Sequence, residues 1–299
     1  MTDFLGKSAP TSSLSALLAR ATSERRPLVV PGCYDALSAR LVEQAGFDAV
    51  YMTGFGTTAS LLGRPDVGLL GLAEMVDNAR RITATITVPL VADADTGYGN
   101  PINVIRTVRE YERAGVAALH IEDQIMPKRC GHMENKQVID TASMTAKIRA
   151  AVAARRNDEF LVIARTDSRA THGLDEALRR ASAFAEAGAD ILFVEALLGE
   201  DEIERVASEF AGFPLLFNWA EGGKTPPLTY DEIAALGFAM IIMPIGTLLA
   251  ATAAMQQFLR KLKESGTPAP FVGEMMAFEE FTNIVGLPDV VALDAGFTA

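Results

Sequence analysis

Cysteine and clustered positive charge are both scarce in this sequence. Its 299 residues include only two cysteines, Cys33 and Cys130, which is too few for a disulfide-stabilised scaffold. Aspartate and glutamate outnumber lysine and arginine by 38 to 27, so the formal net charge is −11. Nucleic acids and anionic membranes bind clustered cationic surface, so we expect neither as a partner.

Long apolar segments are also missing. No uninterrupted apolar stretch reaches the roughly 18 residues that a membrane-spanning helix needs. The first residues, MTDFLGKSAPTSS, lack the positively charged start and the apolar stretch of a signal peptide. We therefore expect a cytoplasmic protein. Hydrophobic residues make up 49% of the chain, which is enough for one large α/β domain or two ordinary ones.

What the sequence does contain is a series of eight short apolar runs, with amphipathic stretches between them. The runs consist mostly of Val, Ile, Leu and Phe without alternation, which is typical of strands buried on both faces. The repeat predicts a single (β/α)8 TIM barrel domain spanning residues 1–299. The runs cover residues 27–32, 48–54, 88–95, 117–123, 160–167, 191–196, 214–220 and 240–246.

An open, doubly wound sheet is the alternative to a barrel. That fold is expected to carry a Gly-rich phosphate loop after its first strand, and PGCYDALSA is not such a loop. From about residue 266 to 299, we predict a C-terminal extension made of a proline-broken linker and one further helix. We expect the charged residues of the helices, such as those in RRASAFAEAG, to form solvated faces.

Polar or charged side chains close seven of the eight predicted strands. Catalytic groups of a (β/α)8 barrel lie where the strands end and the following loops begin. Several such groups buried without partners would cost several kcal/mol each, so the pattern predicts a functional site. The residues are Asp35, Tyr51 and Thr53, Asp93 and Asp95, Glu122 and Asp123, Arg165 and Asp167, Glu195, and Asn218.

An excess of carboxylates at these ends predicts a metal site. Asp93 and Asp95 are two residues apart on one predicted strand and should point to the same side, with Glu122 on the next strand. Three converging acids without three neighbouring bases would repel each other unless a cation lies among them. Oxygen ligands without His or Cys favour Mg²⁺, with Mn²⁺ also suitable, over Zn²⁺. A 2-keto or 2-hydroxy acid substrate would chelate such an ion.

The three histidines have different expected places. We expect Arg165 and His132 to hold anionic oxygens of the substrate. His120 lies within a predicted strand and is expected in the core, and His172 is expected in a loop.

Cys130 lies in the segment PKRCGH, which follows the fourth predicted strand. Lys128, Arg129 and His132 should lower the pKa of its thiol below the ordinary value of about 8.5. Gly131 would let this loop approach a ligand closely. Such a thiol could act as a nucleophile or as a proton donor to a carbanion, and the second role fits the metal better. Cys33 is expected to serve in packing.

Five motifs together resemble the isocitrate lyase/phosphoenolpyruvate mutase superfamily: VADADTGYGN, HIEDQIMPKRCGH, IARTDSR, FVEA and FNWAEGGKTP. The K-R-C-G-H segment is similar to its carbon–carbon lyase branch. The resemblance implies a (β/α)8 barrel with Mg²⁺ and a mobile gating loop that carries the cysteine. It also implies homotetramers in which the eighth helix swaps between paired subunits.

Matched by position, the resemblance implies roles for individual residues. Asp93 and Asp95 match the metal-binding pair, the second acting mostly through water, and Asp66 and Glu122 match outer carboxylates of that site. The residues implied to grip the 2-keto acid product are Tyr51, Thr53, Gly54 and Phe55, and Phe55 is implied to narrow the pocket.

The resemblance also implies the groups that bind and protonate the substrate. Arg165 matches the arginine that binds the substrate carboxylate, with Glu195 and Asn218 as further substrate contacts. Cys130 matches the general acid/base, surrounded by Lys128, Arg129, Gly131 and His132.

One position departs from the methylisocitrate lyases of this superfamily. Those enzymes carry an arginine a few residues past the eighth-strand proline, where it pairs with an additional substrate carboxylate. Leu249 stands at the matching position here. An unpaired carboxylate in a dry pocket would cost several kcal/mol, so a tricarboxylate is disfavoured. A 2-hydroxy diacid with an apolar substituent, an alkylmalate, is favoured, a pattern similar to the dimethylmalate lyase and petal-death-protein branch.

The expected reaction is therefore cleavage of an alkylmalate-type 2-hydroxy dicarboxylic acid to a 2-keto acid such as pyruvate plus a carboxylic acid. Tyr51, or a carboxylate acting through water, is the candidate base. Oxaloacetate decarboxylase and methylisocitrate lyase are alternatives, as is a carboxyphosphonate or phosphonopyruvate mutase or hydrolase. A non-catalytic barrel that binds keto acids is the alternative from another class.

Overall fold

The computed structural model describes residues 12–128 and 136–298. Eight parallel strands form one sheet in the order β6-β5-β4-β3-β2-β1-β8-β7. A single parallel bridge between Leu192 and Leu215 joins the two ends of this order, so the barrel is nearly closed. The strands are β1 (Leu28–Cys33), β2 (Val50–Met52), β3 (Leu90–Asp93), β4 (Ala118–Glu122), β5 (Leu161–Thr166), β6 (Ile191–Val194), β7 (Leu216–Asn218) and β8 (Met240–Met243).

This topology confirms the predicted TIM barrel and rules out the doubly wound sheet. All the strands lie inside the predicted runs except β1, which extends to Cys33. The helices are α1 (Leu14–Glu24), α2 (Ala36–Gln44), α3 (Gly54–Leu62), α4 (Leu72–Thr83), α5 (Pro101–Arg113), α6 (Thr141–Ala154), α7 (Ser168–His172), α8 (Leu174–Glu186), α9 (Glu200–Glu209), α10 (Tyr230–Ala235), α11 (Gly246–Ser265), α12 (Phe278–Ile284) and α13 (Leu287–Thr298).

Side chains pack in two layers. One apolar cluster lies between the strands and the surrounding helices, and it includes Cys33, which is fully buried as expected for a packing residue. The second cluster combines barrel side chains such as Val30 and Ile163 with α1, which contributes Leu14 and Leu17. Helix α1 was not predicted from the sequence.

Local sequence explains where helices begin. Asp35, which the sequence placed among the candidate site residues, is the N-cap of α2 and accepts the Ser38 N–H at 2.7 Å. Asn100 caps α5 by accepting two backbone N–H groups, and Pro101 occupies the first helical position. His172 is the last residue of α7 rather than a loop residue.

The C-terminal extension differs from the single predicted helix. A 3₁₀ segment (Ala269–Glu274) precedes two helices, α12 and α13. Helices α11, α12 and α13 contain no buried residue, and Phe278 is 82% exposed. Among the residues that the structure describes, no helix combines the length and apolarity needed to cross a membrane.

Candidate active site at the carboxyl ends of the strands

Asp93 ends β3 and points its carboxylate at the start of α3. The Gly54 N–H donates to Asp93 Oδ2 at 3.2 Å. A Cβ atom on Gly54 would lie 2.5 Å from the same oxygen, so only glycine allows this approach. Thr53 caps the helix by accepting the Gly56 N–H. The Gly54 N–H, at the start of α3, therefore stabilises the negative charge of Asp93. Phe55 is half-buried in the same turn.

Asp95 lies outside β3, so the expectation that both aspartates share one strand is wrong. Its φ of 47° is left-handed, and its N–H donates to Asp93 Oδ1 at 2.9 Å. Its carbonyl accepts the Glu122 N–H of β4 at 2.9 Å. The two aspartates are brought together by a tight turn rather than by strand alternation.

Lys128 supplies positive charge to these carboxylates, which corrects the expectation of acids without neighbouring bases. Its Nζ lies 2.6 Å from Asp66 Oδ2 and 2.8 Å from Asp95 Oδ1, and its side chain is 3% exposed. Burial alone would lower the pKa of Lys128, but the surrounding carboxylates, led by Asp95 and Asp93, raise it well above its ordinary value. The ammonium therefore stays charged.

The predicted convergence of three acids on one point is not found. In residues 12–128 and 136–298, no three Asp, Glu, His or Cys side chains lie close enough together to hold an ion by themselves. Glu122 Oε1 is nevertheless buried without a hydrogen-bond partner among these residues.

Arg165 lies on β5 beside this cluster. Its Nε and Nη2 donate to Asp167 Oδ2 and Oδ1 at 2.8 and 3.0 Å. Its Nε is also 3.3 Å from Glu122 Oε2, and the guanidinium carbon lies 5.0 Å from the Phe193 ring centroid. Lys136 donates to Asp167 Oδ1 at 2.7 Å. Burial would raise the pKa of Asp167, but Arg165 and Lys136 hold it below its ordinary value.

Tyr51 and His120 form a buried pair behind Asp93. Tyr51 Oη lies 2.8 Å from His120 Nε2, which is 3.5 Å from Asp93 Oδ1. His120 is fully buried, as expected for a core histidine, and burial lowers its pKa to about 4 despite the opposing effect of Asp93. Burial also raises the pKa of Tyr51 well above its ordinary value. At neutral pH both side chains are therefore uncharged.

Glu195 directly follows β6, and Asn218 is the last residue of β7. The two side chains are in contact. Asn218 Nδ2 donates to Glu195 Oε2 at 3.0 Å, and that oxygen is 4.0 Å from Arg165 Nη2. Asn218 Oδ1 is buried without a hydrogen-bond partner among the described residues. These contacts join the two residues to the arginine side of the site. Arg129, Cys130, Gly131 and His132 lie outside the described residues, so their predicted roles stay predictions.

Asp123 and Asp167, which the sequence placed among the polar strand-end residues, form a supporting layer beside Arg165, and sequence reasoning missed the bases Arg180 and Lys136 that complete it. Asp123 accepts the Asp167 N–H at 2.9 Å and the Arg180 Nη1–H at 2.9 Å. Arg180 is 5% exposed, so the prediction of a solvated face for its helix is wrong at this residue, although Arg179 is exposed. The adjacent acid–acid pair at 122 and 123 and the R-T-D segment were the available signals for Asp123 and Asp167. Lys136 gave no signal beyond its charge.

The carboxylate-rich cluster and the arginine thus lie together at the catalytic end of a (β/α)8 barrel, which is the arrangement of an enzyme with a small-molecule substrate. The sequence profile described as phosphoenolpyruvate phosphomutase matches residues 18–263. The chain therefore belongs to the phosphoenolpyruvate mutase/isocitrate lyase superfamily, as the sequence motifs indicated.

The relatives with assigned names include two carbon–carbon lyases and one phosphorylmutase. The chain is 48% identical to 2,3-dimethylmalate lyase of Eubacterium barkeri over 268 residues, covering 90% of this chain and 92% of the relative. It is 42% identical to the chloroplastic carboxyvinyl-carboxyphosphonate phosphorylmutase of Arabidopsis thaliana, covering 97% and 86%. It is 43% identical to 2-methylisocitrate lyase of Aeropyrum pernix, covering 93% and 90%. The protein is a carbon–carbon lyase of this superfamily.

Solved structures show the same fold. A crystal structure of 2,3-dimethylmalate lyase superposes with a TM-score of 0.89 at 43% identity, covering 96% of each chain. An oxaloacetate acetylhydrolase bound to 3,3-difluorooxalacetate gives 0.90 at 38% identity, covering 98% and 99%. A phosphonopyruvate hydrolase in complex with oxalate and Mg²⁺ gives 0.87 at 30% identity, covering 96% and 100%.

Proposed function

We propose that this enzyme is a Mg²⁺-dependent lyase that cleaves an alkylmalate-type 2-hydroxy dicarboxylic acid to a 2-keto acid, such as pyruvate, and a carboxylic acid. The observation that carries the proposal is the contact between the two halves of the site. Arg165 Nε lies 3.3 Å from Glu122 Oε2, so a carboxylate-binding cation adjoins a cluster of acidic oxygens. A substrate with a carboxylate next to a hydroxyl has the complementary pattern.

The residues present fit Mg²⁺. The available donors around Asp93, Asp95 and Glu122 are carboxylate oxygens, which Mg²⁺ prefers. The Lys128 ammonium lies 2.8 Å from Asp95 Oδ1, and this attraction of a positive group to the cluster supports the proposal. Mg²⁺ commonly takes one or two protein carboxylates and completes its shell with waters and substrate, so it does not require a three-ligand cage. When bound, the ion would polarise the substrate 2-hydroxyl and its carboxylate.

The chain's own residues account for binding and proton transfer. Arg165 binds a substrate carboxylate through Nη1, because its bonds to Asp167 use Nε and Nη2. A base removes the hydroxyl proton, and the electron pair of the bond between carbons 2 and 3 moves to carbon 3. Carbon 2 becomes the keto carbon of one product. The thiol of Cys130 donates its proton to the carbanion and completes the second product.

A carboxylate acting through water is the better candidate for the base than Tyr51. A phenol with a raised pKa keeps its proton at neutral pH and is a hydrogen-bond donor instead. We propose that Tyr51, held by His120, orients a substrate oxygen beside Asp93.

The wall near α11 favours an apolar substituent over a third carboxylate. Leu249 lies in the first turns of α11 and is 47% exposed. At the start of this helix, Glu221 Oε2 accepts the Ile245 N–H at 3.1 Å. A substrate carboxylate there would meet a leucine rather than a basic partner and would be repelled by Glu221, so a tricarboxylate is disfavoured.

We also propose that the chain functions as a single domain within a homotetramer. Helices α11 to α13 leave large apolar side chains exposed, among them Phe278 and Phe297 at 82% and 75%. A second copy that received α11, the helix that follows the eighth strand, would cover such a surface.

A substrate panel tests the function. The protein is incubated with Mg²⁺ and 2,3-dimethylmalate, other alkylmalates, 2-methylisocitrate, oxaloacetate and phosphonopyruvate, and the 2-keto acid and the partner product are quantified. We expect the alkylmalates to give the highest kcat/KM and EDTA to abolish cleavage. Cleavage of oxaloacetate is the second candidate, supported by the similarity to oxaloacetate acetylhydrolase. Turnover of oxaloacetate or a phosphonate alone would contradict the alkylmalate proposal.

A further inference from the structure

We propose that Lys136 is a positioning residue for Arg165 and acts through Asp167. The inference rests on the proposed function in one respect, namely that Arg165 binds a substrate carboxylate. It adds a residue to which neither the sequence motifs nor the relatives' names assign a role.

The geometry is a shared carboxylate. Asp167 Oδ1 accepts both Lys136 Nζ at 2.7 Å and Arg165 Nη2 at 3.0 Å, while Oδ2 accepts Arg165 Nε at 2.8 Å. The three side chains are 2%, 0% and 8% exposed for Lys136, Asp167 and Arg165. Water therefore screens these charges little, and each ion pair strongly affects the others.

The backbone of Asp167 is fixed independently of Lys136. Its N–H donates to Asp123 Oδ1 at 2.9 Å, and Asp123 Oδ2 is held by Thr166 Oγ1 at 2.8 Å and Arg180 Nη1 at 2.9 Å. What Lys136 controls is therefore the carboxylate itself, both its orientation and the share of its charge that Arg165 must neutralise.

Charge balance explains why this control matters for binding. The guanidinium of Arg165 already faces Glu122 at 3.3 Å and Glu195 at 4.0 Å in addition to Asp167. Lys136 neutralises part of the Asp167 charge, which leaves the guanidinium free to interact with an additional carboxylate. Without Lys136, Arg165 would be drawn toward Asp167 and would bind substrate more weakly.

The test is a double-mutant cycle on the full-length protein with Mg²⁺ present. Affinity for pyruvate, used as a 2-keto acid probe, is measured by calorimetry, and KM and kcat are measured for the alkylmalate cleaved in the panel. We expect Lys136→Met to weaken pyruvate binding and raise KM by roughly 10-fold to 100-fold, the range typical of groups that orient a ligand-binding residue, with a smaller change in kcat. We expect Asp167→Asn to weaken binding as well, because it removes the two-oxygen acceptor that orients the Arg165 guanidinium.

The double variant separates positioning from general damage. If Lys136 acts through Asp167, then Lys136→Met should add no more than about twofold to the effect of Asp167→Asn. The double variant removes both buried charges together. If Lys136→Met alone fails to fold, comparison of the double variant with Asp167→Asn still tests the positioning role. Arg155→Gln is the control, because it breaks a partly buried 2.9 Å ion pair with Asp190 at the opposite end of β5; we expect unchanged pyruvate binding.

The outcomes are distinct. Wild-type-like affinity in folded Lys136→Met, or independent multiplication of the two effects, would overturn the positioning role while leaving the lyase proposal intact. Failure of the wild-type protein to bind pyruvate or cleave any alkylmalate would overturn both.

Discussion

Gly54 determines how Asp93 is held. Its N–H donates to the Asp93 carboxylate, and any side chain would meet that carboxylate at 2.5 Å. The backbone carbonyl of Asp93 accepts a hydrogen bond from the Tyr111 hydroxyl at 2.9 Å, so both the side chain and the backbone of Asp93 are held in place. A metal-binding carboxylate gains affinity when groups around it hold its orientation.

Substitution of Gly54 by alanine should therefore displace Asp93. We expect Gly54→Ala to lower Mg²⁺ affinity, measured by calorimetry, and kcat/KM by roughly 10-fold to 100-fold. Gly296→Ala is the matched control, because a Cβ there meets nothing within 4 Å. Equal Mg²⁺ affinity in both variants would show that the Gly54 contact is unimportant.

Cys130 is the second residue on which the mechanism depends. Replacing sulfur by oxygen keeps the size but raises the pKa of the donor far above that of a thiol, so proton transfer to the carbanion slows. We expect Cys130→Ser to lower kcat by about 10²-fold or more, with pyruvate and Mg²⁺ still binding in calorimetry. Near-normal alkylmalate cleavage by this variant would remove Cys130 from the mechanism.

At the scale of elements, α1 packs into the barrel cluster, and its Arg20 pairs with Asp48 just before the amino end of β2. Leu14 is 1% exposed and belongs to the cluster that contains Val30 and Ile163. We expect Leu14→Ala to lower the free energy of unfolding by about 2–5 kcal/mol and to leave KM unchanged, as measured by urea unfolding and steady-state kinetics. Leu61→Ala, at a position 51% exposed, should change stability by less than about 0.5 kcal/mol.

The strands could be predicted from sequence because each is a continuous apolar run. Their ends could not be predicted as closely, since the left-handed turn at Asp95 depends on hydrogen bonds to Asp93 and Glu122 that only the folded barrel provides. Helix α1 was missed although it carries a local signal, an N-cap at Ser13 and buried apolar residues at 14, 17, 18 and 21 that follow the helical period.

Some residues of the site could likewise be predicted from the sequence and others could not. Carboxylates at strand ends were visible as a pattern, and the structure links Asp93, Asp95 and Glu122 through backbone hydrogen bonds, although among the described residues their carboxylates do not converge on one point. Lys136 and Arg180 were not visible, because lysine and arginine are ordinary surface residues, and Lys128 was expected beside Cys130 rather than as the partner of Asp66 and Asp95. Their burial follows from pairing with acids 31 to 62 residues away in the chain, and no local pattern encodes such pairs.

At the scale of the whole molecule, the C-terminal helices present apolar side chains that a lone subunit leaves in water. Phe278, 82% exposed, lies at the start of α12. If these helices form subunit contacts, Phe278→Glu should bury a charge and shift the protein to smaller assemblies in light scattering at low micromolar concentration. Phe278→Leu keeps the side chain apolar and should retain the assembly; an unchanged mass for Phe278→Glu would exclude this surface from the interface.

A single bridge, between Leu192 and Leu215, joins β6 to β7, so this is the most weakly paired junction between neighbouring strands of the barrel. Glu195 and Asn218 face each other across it and are joined by one side-chain hydrogen bond. A substrate that contacts both Glu195 and Asn218 would hold β6 and β7 together. Ligand binding would then be linked to the local opening of the barrel between β6 and β7. Bound ligand should therefore slow amide hydrogen exchange in β6 and β7 more than in the fully paired β4 and β5.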